Sequence, residues 1–271
     1  CLMEYNLCDY NTVNRLLSAH GFTFSKALGQ NFLIDDSVCP AMAEALCADD
    51  NTGVLEIGPG IGVLTKELCK TAGRVVSIEL DKRLYPVLEK TLEDYNNFQL
   101  VQGDAMKLDL AALIDERFND CGCVKVCANL PYYITSPIIM RLLESKLKID
   151  EIIVMVQREA AERLCAQIGS RDAGAVTVAV NYYAQAEVLF NVGRESFMPS
   201  PKVDSAVIKI KLRTHPEYEV KNEEKLFALV KAAFSQRRKT LVNSLSNTGG
   251  ASKSSVIEAL NKLGLSTTIR A

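Results

Sequence analysis

The chain has 271 residues, 48% of them hydrophobic and 24% charged, with a net charge of −2. This is the composition of a globular protein, long enough for one large domain or one large and one small. No apolar run reaches the ~18 residues of a membrane span, so no membrane-spanning helix is expected. The nine cysteines include no C-x-x-C pair, and His20 and His215 are the only histidines. A structural zinc site, resident metal and histidine-based triad chemistry are therefore not expected.

The N-terminal "CLMEYNLCDY" has no basic stretch leading into an apolar core, so no secretory signal is expected. The chain opens on Cys1 and stops at "STTIRA", and a piece is expected to be missing at each end. An odd number of cysteines in core-like surroundings predicts reduced thiols and a cytoplasmic location. Charge is unevenly spread: residues 193–271 hold 14 Lys and Arg against 7 Asp and Glu, leaving 17 against 26 for the rest. Such asymmetry suits a basic surface for a polyanion, and a few solvated basic faces explain it equally well.

In chain order, the first ~50 residues read as helices around the loop "FTFSKALGQNFLIDD". "GVLEIG" (53–58) is a short apolar strand running into glycines, and "GVLTKELCKTAG" a helix closed by Gly73. "RVVSIEL" (74–80) is the next strand. "KRLYPVLEKTLEDY" is the next helix, with Pro86 tolerable only near its start. "FQLVQGDAM", "CVKVCANL" and "EIIVMVQ" continue as strands three to five. Continuous apolar strands separated by helices predict a mostly parallel sheet covered on both faces. "AEVLFNV" and "SAVIKIKL", joined by "GRESFMPSPKVD", predict an antiparallel hairpin with a long loop at the sheet edge. From Thr214 the pattern is helical only: "EEKLFALVKAAFSQRRKTLVNSL", then "SSVIEALNKLG". The predicted fold is thus α/β, a Rossmann-like domain over 1–213 with an antiparallel edge hairpin, plus a small all-helical domain over 214–271.

The glycines of "LEIGPGIGVLT" (Gly58, Gly60 and Gly62) fall between a strand and a helix. A turn of this kind lets a ligand approach the backbone closely. The spacing is G-x-G-x-G rather than the G-x-G-x-x-G of dinucleotide binders, which disfavours an NAD-dependent dehydrogenase. The next strand ends in Glu79, placed to accept from a ribose diol. The third ends in "GDA", where Asp104 can accept from an adenine amine. Helix capping or turn formation is the alternative for each carboxylate. The acidic lining fits a cation better than a pyrophosphate, and S-adenosylmethionine is a sulfonium with an adenosine and no phosphate.

"CANLPYYITSPI" (127–138) ends a core strand in an amide, a proline and an aromatic pair. The Asn129 side-chain carbonyl and the Leu130 backbone carbonyl can accept both hydrogens of an exocyclic amine. Pro131 stiffens the turn, and Tyr132 can stack on a flat base. An arylamine is a weak nucleophile because its lone pair is delocalised. Two carbonyl acceptors favour the pyramidal, nucleophilic nitrogen and aim it, which suits methylation of a flipped adenine. A plain turn with two core tyrosines is the alternative.

"KALGQNFLID", "VLEIGPGIGVLT", "NLPYYITSPI", "VQREAAERL", "FMPSPKVDSAVI" and "FSQRRKTLVNSL" occur in this order. Together they resemble the ribosomal RNA adenine dimethyltransferase family. The resemblance is strongest to its bacterial branch, which dimethylates two adjacent adenosines near the 3′ end of small-subunit (16S) rRNA, and runs from about His20 to Gly264. It implies S-adenosylmethionine as methyl donor, the small ribosomal subunit as partner, and a monomer. It implies that Asn31 and Leu33 fold over the cofactor, that Gly58 lies against it, that Glu79 holds its ribose and Asp104 its adenine, and that Asn129 stands between cofactor and target. The aromatic pair around the flipped base corresponds to Tyr132 and Phe197. Phe197, in a Pro-rich loop, is expected to be an exposed stacking platform. Arg237, Arg238 and Lys239 in "SQRRKT" are candidate phosphate contacts. The "VQREAAERL" helix, with Arg158 and Glu159, reads as structural. Two rival readings are the related 23S rRNA methyltransferase of macrolide resistance, which usually has Ile where this chain has Leu130, and a mainly non-catalytic ribosome-assembly factor.

Overall fold

The structure, a computed structural model, describes residues 6–22, 30–236 and 238–271. Helix α1 (Tyr10–Ala19) is capped by Asp9, whose carboxylate accepts from the Thr12 N–H at 2.7 Å, and buries Val13, Leu16 and Leu17 at helical spacing. A two-residue strand β1 (Phe32–Leu33) and helix α2 (Val38–Leu46) follow. The alternating part runs β2 (Thr52–Ile57), α3 (Val63–Cys69), β3 (Arg74–Glu79), α4 (Tyr85–Thr91), β4 (Phe98–Gln102), α5 (Leu110–Arg117), β5 (Cys123–Asn129), α6 (Thr135–Glu144) and β6 (Glu151–Gln157). Helices α7 (Arg158–Leu164) and α8 (Ala175–Tyr183) lead to β7 (Ala184–Val192), β8 (Phe197–Met198) and β9 (Ser205–Leu212). The chain closes with α9 (Glu223–Phe234), α10 (Leu241–Thr248) and α11 (Lys253–Lys262).

The central sheet has seven strands in the order β4-β3-β2-β5-β6-β9-β7. The first five are parallel, and β9 runs antiparallel to both neighbours. The predicted Rossmann-like sheet with its antiparallel edge hairpin is borne out, with the second hairpin strand lying inside the first. Every residue of β2 is buried, as expected of a central strand covered on both faces. One apolar layer joins the sheet to α5, α6, α7 and α8. The other joins it to α2 and α3. A third cluster ties α1 and α4 to Phe22, Phe32 and Ile61.

Three local expectations are corrected, and one helix is added. Helix α3 ends at Cys69 on Lys70, so Gly73 does not close it. Gly73 is needed for close approach: a Cβ there would lie 1.9 Å from the Asp50 carbonyl oxygen. The segment between β7 and β9 is more than a loop. Its β8 pairs antiparallel with β1, Leu33 opposite Phe197, in a separate two-stranded sheet. Helix α8 was not expected from its sequence. The long C-terminal helix is broken between α9 and α10, where Thr240 caps α10 by accepting from the Asn243 N–H. Helix α9 packs on α8 through Phe227, Ala179 and Tyr182. Helices α10 and α11 share a small core of Val242, Val256 and Leu260. Among the described residues no helix is long and apolar enough to cross a membrane.

Because the atom facing Gly73 is backbone, a neighbour's rotamer change cannot relieve the clash. Gly73→Ala is expected to destabilise the fold by about 2 kcal/mol, seen as a lower urea midpoint at unchanged slope. An unchanged midpoint would show that the Asp49–Asn51 turn yields freely.

Candidate active site

A cavity of about 370 Å³ opens at the carboxyl ends of the central strands, the switch-point position where open α/β sheets bind ligands. The parallel register puts Glu56 and Ile57 of β2 beside Ser77 and Ile78 of β3, and Glu56 also beside Cys127 of β5. Of the residues singled out in the sequence, Asn31, Leu33, Gly58, Gly60, Glu79, Asp104, Asn129, Leu130, Pro131, Tyr132 and Phe197 all line this cavity. Gly62 does not. It is the N-cap of α3 at φ 92°, and a Cβ there would meet Thr91 Oγ1 at 3.2 Å. It serves the packing of α3 on α4 and not the cavity wall.

The glycine turn is built for close contacts. Gly58 and Gly60 have φ of 74° and 60°, in the left-handed region that favours glycine. A Cβ on Gly60 would come within 3.2 Å of the Phe32 ring, so the "QNFL" segment lies on the turn. Gln30 Nε2 donates to Asp81 Oδ2 at 2.7 Å, and the Asp81 N–H donates to Glu79 Oε1 at 2.7 Å. Gln30 and Phe32 thus latch this segment over the ends of β2 and β3. Lys26 to Gly29 of the same motif lie outside the described residues.

Two largely buried carboxylates sit at the cavity. Glu56 is 1% exposed. Its Oε2 accepts from Thr65 Oγ1 at 2.7 Å and Ser77 Oγ at 2.6 Å, while Oε1 has no hydrogen-bond partner among the described residues. Burial raises its pKa to about 7 against the pull of those two hydroxyls, and the Glu79 charge adds to the rise. Glu79, 6% exposed, is raised to about 7, again chiefly by burial. Asp104 accepts from the Met106 N–H at 2.9 Å and lies 3.6 Å from Lys107 Nζ, so it forms a turn as well as lining the cavity. The sequence marks Glu56 only as a residue that dinucleotide fingerprints do not carry before their glycines. Its burial between Thr65 and Ser77 depends on contacts 9 and 21 residues away.

The "NLPYY" turn forms the opposite wall. Asn129 ends β5 half-buried, and its side-chain amide makes no hydrogen bond among the described residues. The Leu130 N–H is held by the Met155 carbonyl at 3.1 Å, which fixes the turn to β6. Pro131 lies against the glycine turn, its Cδ 4.0 Å from where a Gly58 Cβ would stand. The Tyr132 hydroxyl and Ser205 Oγ share a hydrogen bond of 2.8 Å.

Phe197 corrects one expectation. It is 4% exposed, part of the apolar layer around α2 and α3, and held opposite Leu33 by the β1–β8 pairing. It is a buried wall of the cavity, not an exposed platform. Arg238 and Lys239 are exposed in the turn between α9 and α10, away from the cavity. Arg237 lies outside the described residues. Arg158 is exposed and lies near Glu162 and Asp204 at 3.7 and 3.5 Å, and Glu159 pairs with Arg163 on the same helix.

Comparison with known proteins bears out the resemblance. The family model for ribosomal RNA adenine dimethylase matches residues 21–268. Ribosomal RNA small subunit methyltransferase A of Geobacillus thermodenitrificans is 45% identical over 266 residues, covering 97% of this chain and 91% of that protein. Its counterpart in Clostridioides difficile is 42% identical over 259 residues, covering 96% and 89%. Among solved structures, a dimethyladenosine transferase from Plasmodium falciparum superposes with a TM-score of 0.66 at 30% identity, covering 79% of this chain and 74% of that one. A 23S rRNA methyltransferase superposes at 0.64 with 28% identity, covering 88% and 91%. With a family model matched over nearly its whole length and relatives above 40% identity, the chain belongs to the ribosomal RNA adenine dimethylase family.

Proposed function

We propose that this chain transfers methyl groups from S-adenosylmethionine to the exocyclic amine of two adjacent adenosines near the 3′ end of small-subunit (16S) rRNA, twice per base. The observation that carries the reading is the disengaged Asn129 amide at a cavity lined by buried carboxylates. The cavity suits the cofactor on its own chemistry. Its floor is acidic, one buried carboxylate oxygen lacks a partner among the described residues, and its glycine turn leaves no side chain at φ 74° and 60°. When bound, S-adenosylmethionine supplies an electrophilic methyl group on a sulfonium.

The roles of the chain's residues follow from their positions. Glu79 accepts from the ribose diol and Asp104 from the cofactor's adenine amine. Gly58 and Gly60 admit the ligand against bare backbone, and Asn31 and Leu33 cover it. The Asn129 and Leu130 carbonyls accept the two amine hydrogens of the target and hold its nitrogen pyramidal. Tyr132 stacks on the target base, its hydroxyl anchored on Ser205, and Phe197 closes the pocket from the β1–β8 sheet. The proton lost after attack leaves to water. Residues 1–213 form the catalytic domain and 214–271 the RNA-binding domain, with Arg237, Arg238 and Lys239 neutralising phosphates. The protein acts as a cytoplasmic monomer on the small subunit.

Small-subunit rRNA is favoured over large by the 42–46% identity to small-subunit relatives. The test is transfer of labelled methyl to undermethylated small-subunit particles, with large-subunit rRNA in parallel. Dimethyladenosine in the small-subunit RNA alone is the expected result. Label confined to large-subunit RNA would move the protein to the resistance branch, and binding without label would make it an assembly factor.

Asn129→Ala is expected to lower methyl transfer at least a hundredfold, about 2.7 kcal/mol of barrier, while particle binding stays within twofold. Retained activity within threefold in single-turnover assays would remove the amine-holding role.

The buried carboxylates also fix a pH response. A carboxyl whose folded pKa is raised stabilises the fold while protonated. For Glu56 and Glu79 that contribution is full below 4.5 and is lost as pH rises through about 7. A cation in the cavity favours the ionised forms. Binding of S-adenosylmethionine is therefore expected to release protons and to tighten between pH 6 and pH 8. Calorimetry in two buffers of different ionisation enthalpy measures this, and proton uptake would reverse the sign.

A further inference from the structure

The second tyrosine of "NLPYY" has no part in the reading above, yet Tyr133 lines the same cavity. We propose that Tyr133 is the cover of the cofactor's nucleoside end, so that two consecutive tyrosines on one turn serve two different adenines, Tyr132 the target's and Tyr133 the cofactor's. The inference rests on the reading of the cavity as an S-adenosylmethionine site.

The backbone separates the two rings. Tyr132–Ile134 form a 3₁₀ turn, in which successive side chains diverge by about 120°. Tyr132 points to β9, where its hydroxyl meets Ser205, and the carboxylate that acts on it is Asp204. Tyr133 lies about 120° further round the turn. The carboxylates that act on it are Asp104 and Glu79, at the ends of β4 and β3. Burial is the larger influence at each ring and, with those charges, raises both hydroxyl pKa values, so each stays a neutral phenol.

Exposure distinguishes the two as well. Tyr133 is 53% exposed while lining the cavity, and Leu80, next to Glu79, is 45% exposed on the same rim. Tyr133 is therefore a lining residue with surface open to water as well as to the cavity. It faces the side where Glu79 and Asp104 offer acceptors for a ribose and an adenine amine. A flat nucleoside held by those acceptors would slide under the ring and bury the surface that the bare protein leaves wet. No hydrogen bond of the Tyr133 hydroxyl is present among the described residues, so the ring, and not a fixed polar contact, does the covering.

The test is calorimetric binding of S-adenosylhomocysteine and of 5′-methylthioadenosine, which keeps the nucleoside and lacks the amino acid. The full-length parent, Tyr133→Ala and Tyr133→Phe are compared. Stacking of a base on an aromatic side chain predicts a loss of about tenfold for Tyr133→Ala with both ligands. Tyr133→Phe should stay within twofold. Affinity for small-subunit particles without cofactor should not change, and neither should the unfolding midpoint of the bare protein. Tyr133→Ala within twofold of the parent for both ligands overturns the inference while leaving the cofactor reading intact. A loss with S-adenosylhomocysteine but not with methylthioadenosine would put Tyr133 at the amino-acid end and overturn it. Weakened particle binding at unchanged cofactor affinity would make Tyr133 a second wall for the target base, again overturning it. A Tyr133→Phe variant as weak as Tyr133→Ala would show that the hydroxyl acts instead of the ring. A parent that binds neither ligand would overturn the cofactor reading and this inference together.

Discussion

The parallel register of β2 with β3 on one side and β5 on the other is the constraint from which the site follows. Those pairings carry Glu79, the glycine turn and Asn129 to one end of the sheet, although they are far apart in sequence. Side chains alternate across a strand, so a one-residue slip would send each to the opposite face. The apolar layers on both faces resist such a slip, because it would also exchange residues matched to different helices. The placement of the cavity residues follows from the alignment that packs the core.

Glu56 shows the electrostatic side of that arrangement. A carboxylate inside an all-buried strand is costly unless hydrogen-bonded, and Thr65 and Ser77 satisfy only one of its oxygens. The bare protein therefore holds an acidic group that favours its neutral form beside a second one of the same kind. A cationic ligand would draw both groups toward their ionised forms and gain their attraction. Glu79 is held by the Asp81 N–H, and Asp81 is held by Gln30, so the covering segment and the acidic floor are linked by hydrogen bonds.

Much of this was legible in the sequence, because the relevant features are local. The apolar strands, the glycine turn and the residue closing each strand are contiguous patterns, and their order in the chain fixes their order at the cavity. What was hidden depends on distant pairing. The β1–β8 pair joins residues some 165 positions apart through two residues on each side, too short a pattern to announce a strand. Its consequence, the burial of Phe197, was hidden with it. "AVTVAVNYY" is rich in β-branched and aromatic residues and carries no helix signal, yet packing between α6, α7 and α9 makes it α8. The break between α9 and α10 contains neither glycine nor proline, so nothing in composition marked it. Gly73 is the opposite case: its position read as a helix stop, while its actual role is contact with a carbonyl from the turn before β2.

An enzyme that methylates adenine with an adenine-bearing cofactor must keep two chemically identical rings in different places. The fold answers with distance and with donor chemistry. Asp104 follows β4 and Asn129 ends β5, three strands apart in the sheet, which is roughly 14 Å at ~4.8 Å per strand. That span suits a nucleoside lying between the two positions, with the reactive carbon toward Asn129. The partners differ too. A carboxylate on a turn can hold one amine hydrogen and leave the nitrogen flat and unreactive. An amide and a backbone carbonyl at the end of one strand can take both and pull the nitrogen toward a tetrahedral shape. After one methyl transfer the target amine keeps a single hydrogen, so one of the two carbonyls must release its partner before a second transfer. The amide of Asn129 can rotate about its side-chain bonds, whereas the Leu130 carbonyl is fixed by a backbone tied to Met155. On the proposed reading the side chain is thus the member of the pair that can accommodate the first methyl group, which would let one pocket accept first adenosine and then its own monomethylated product.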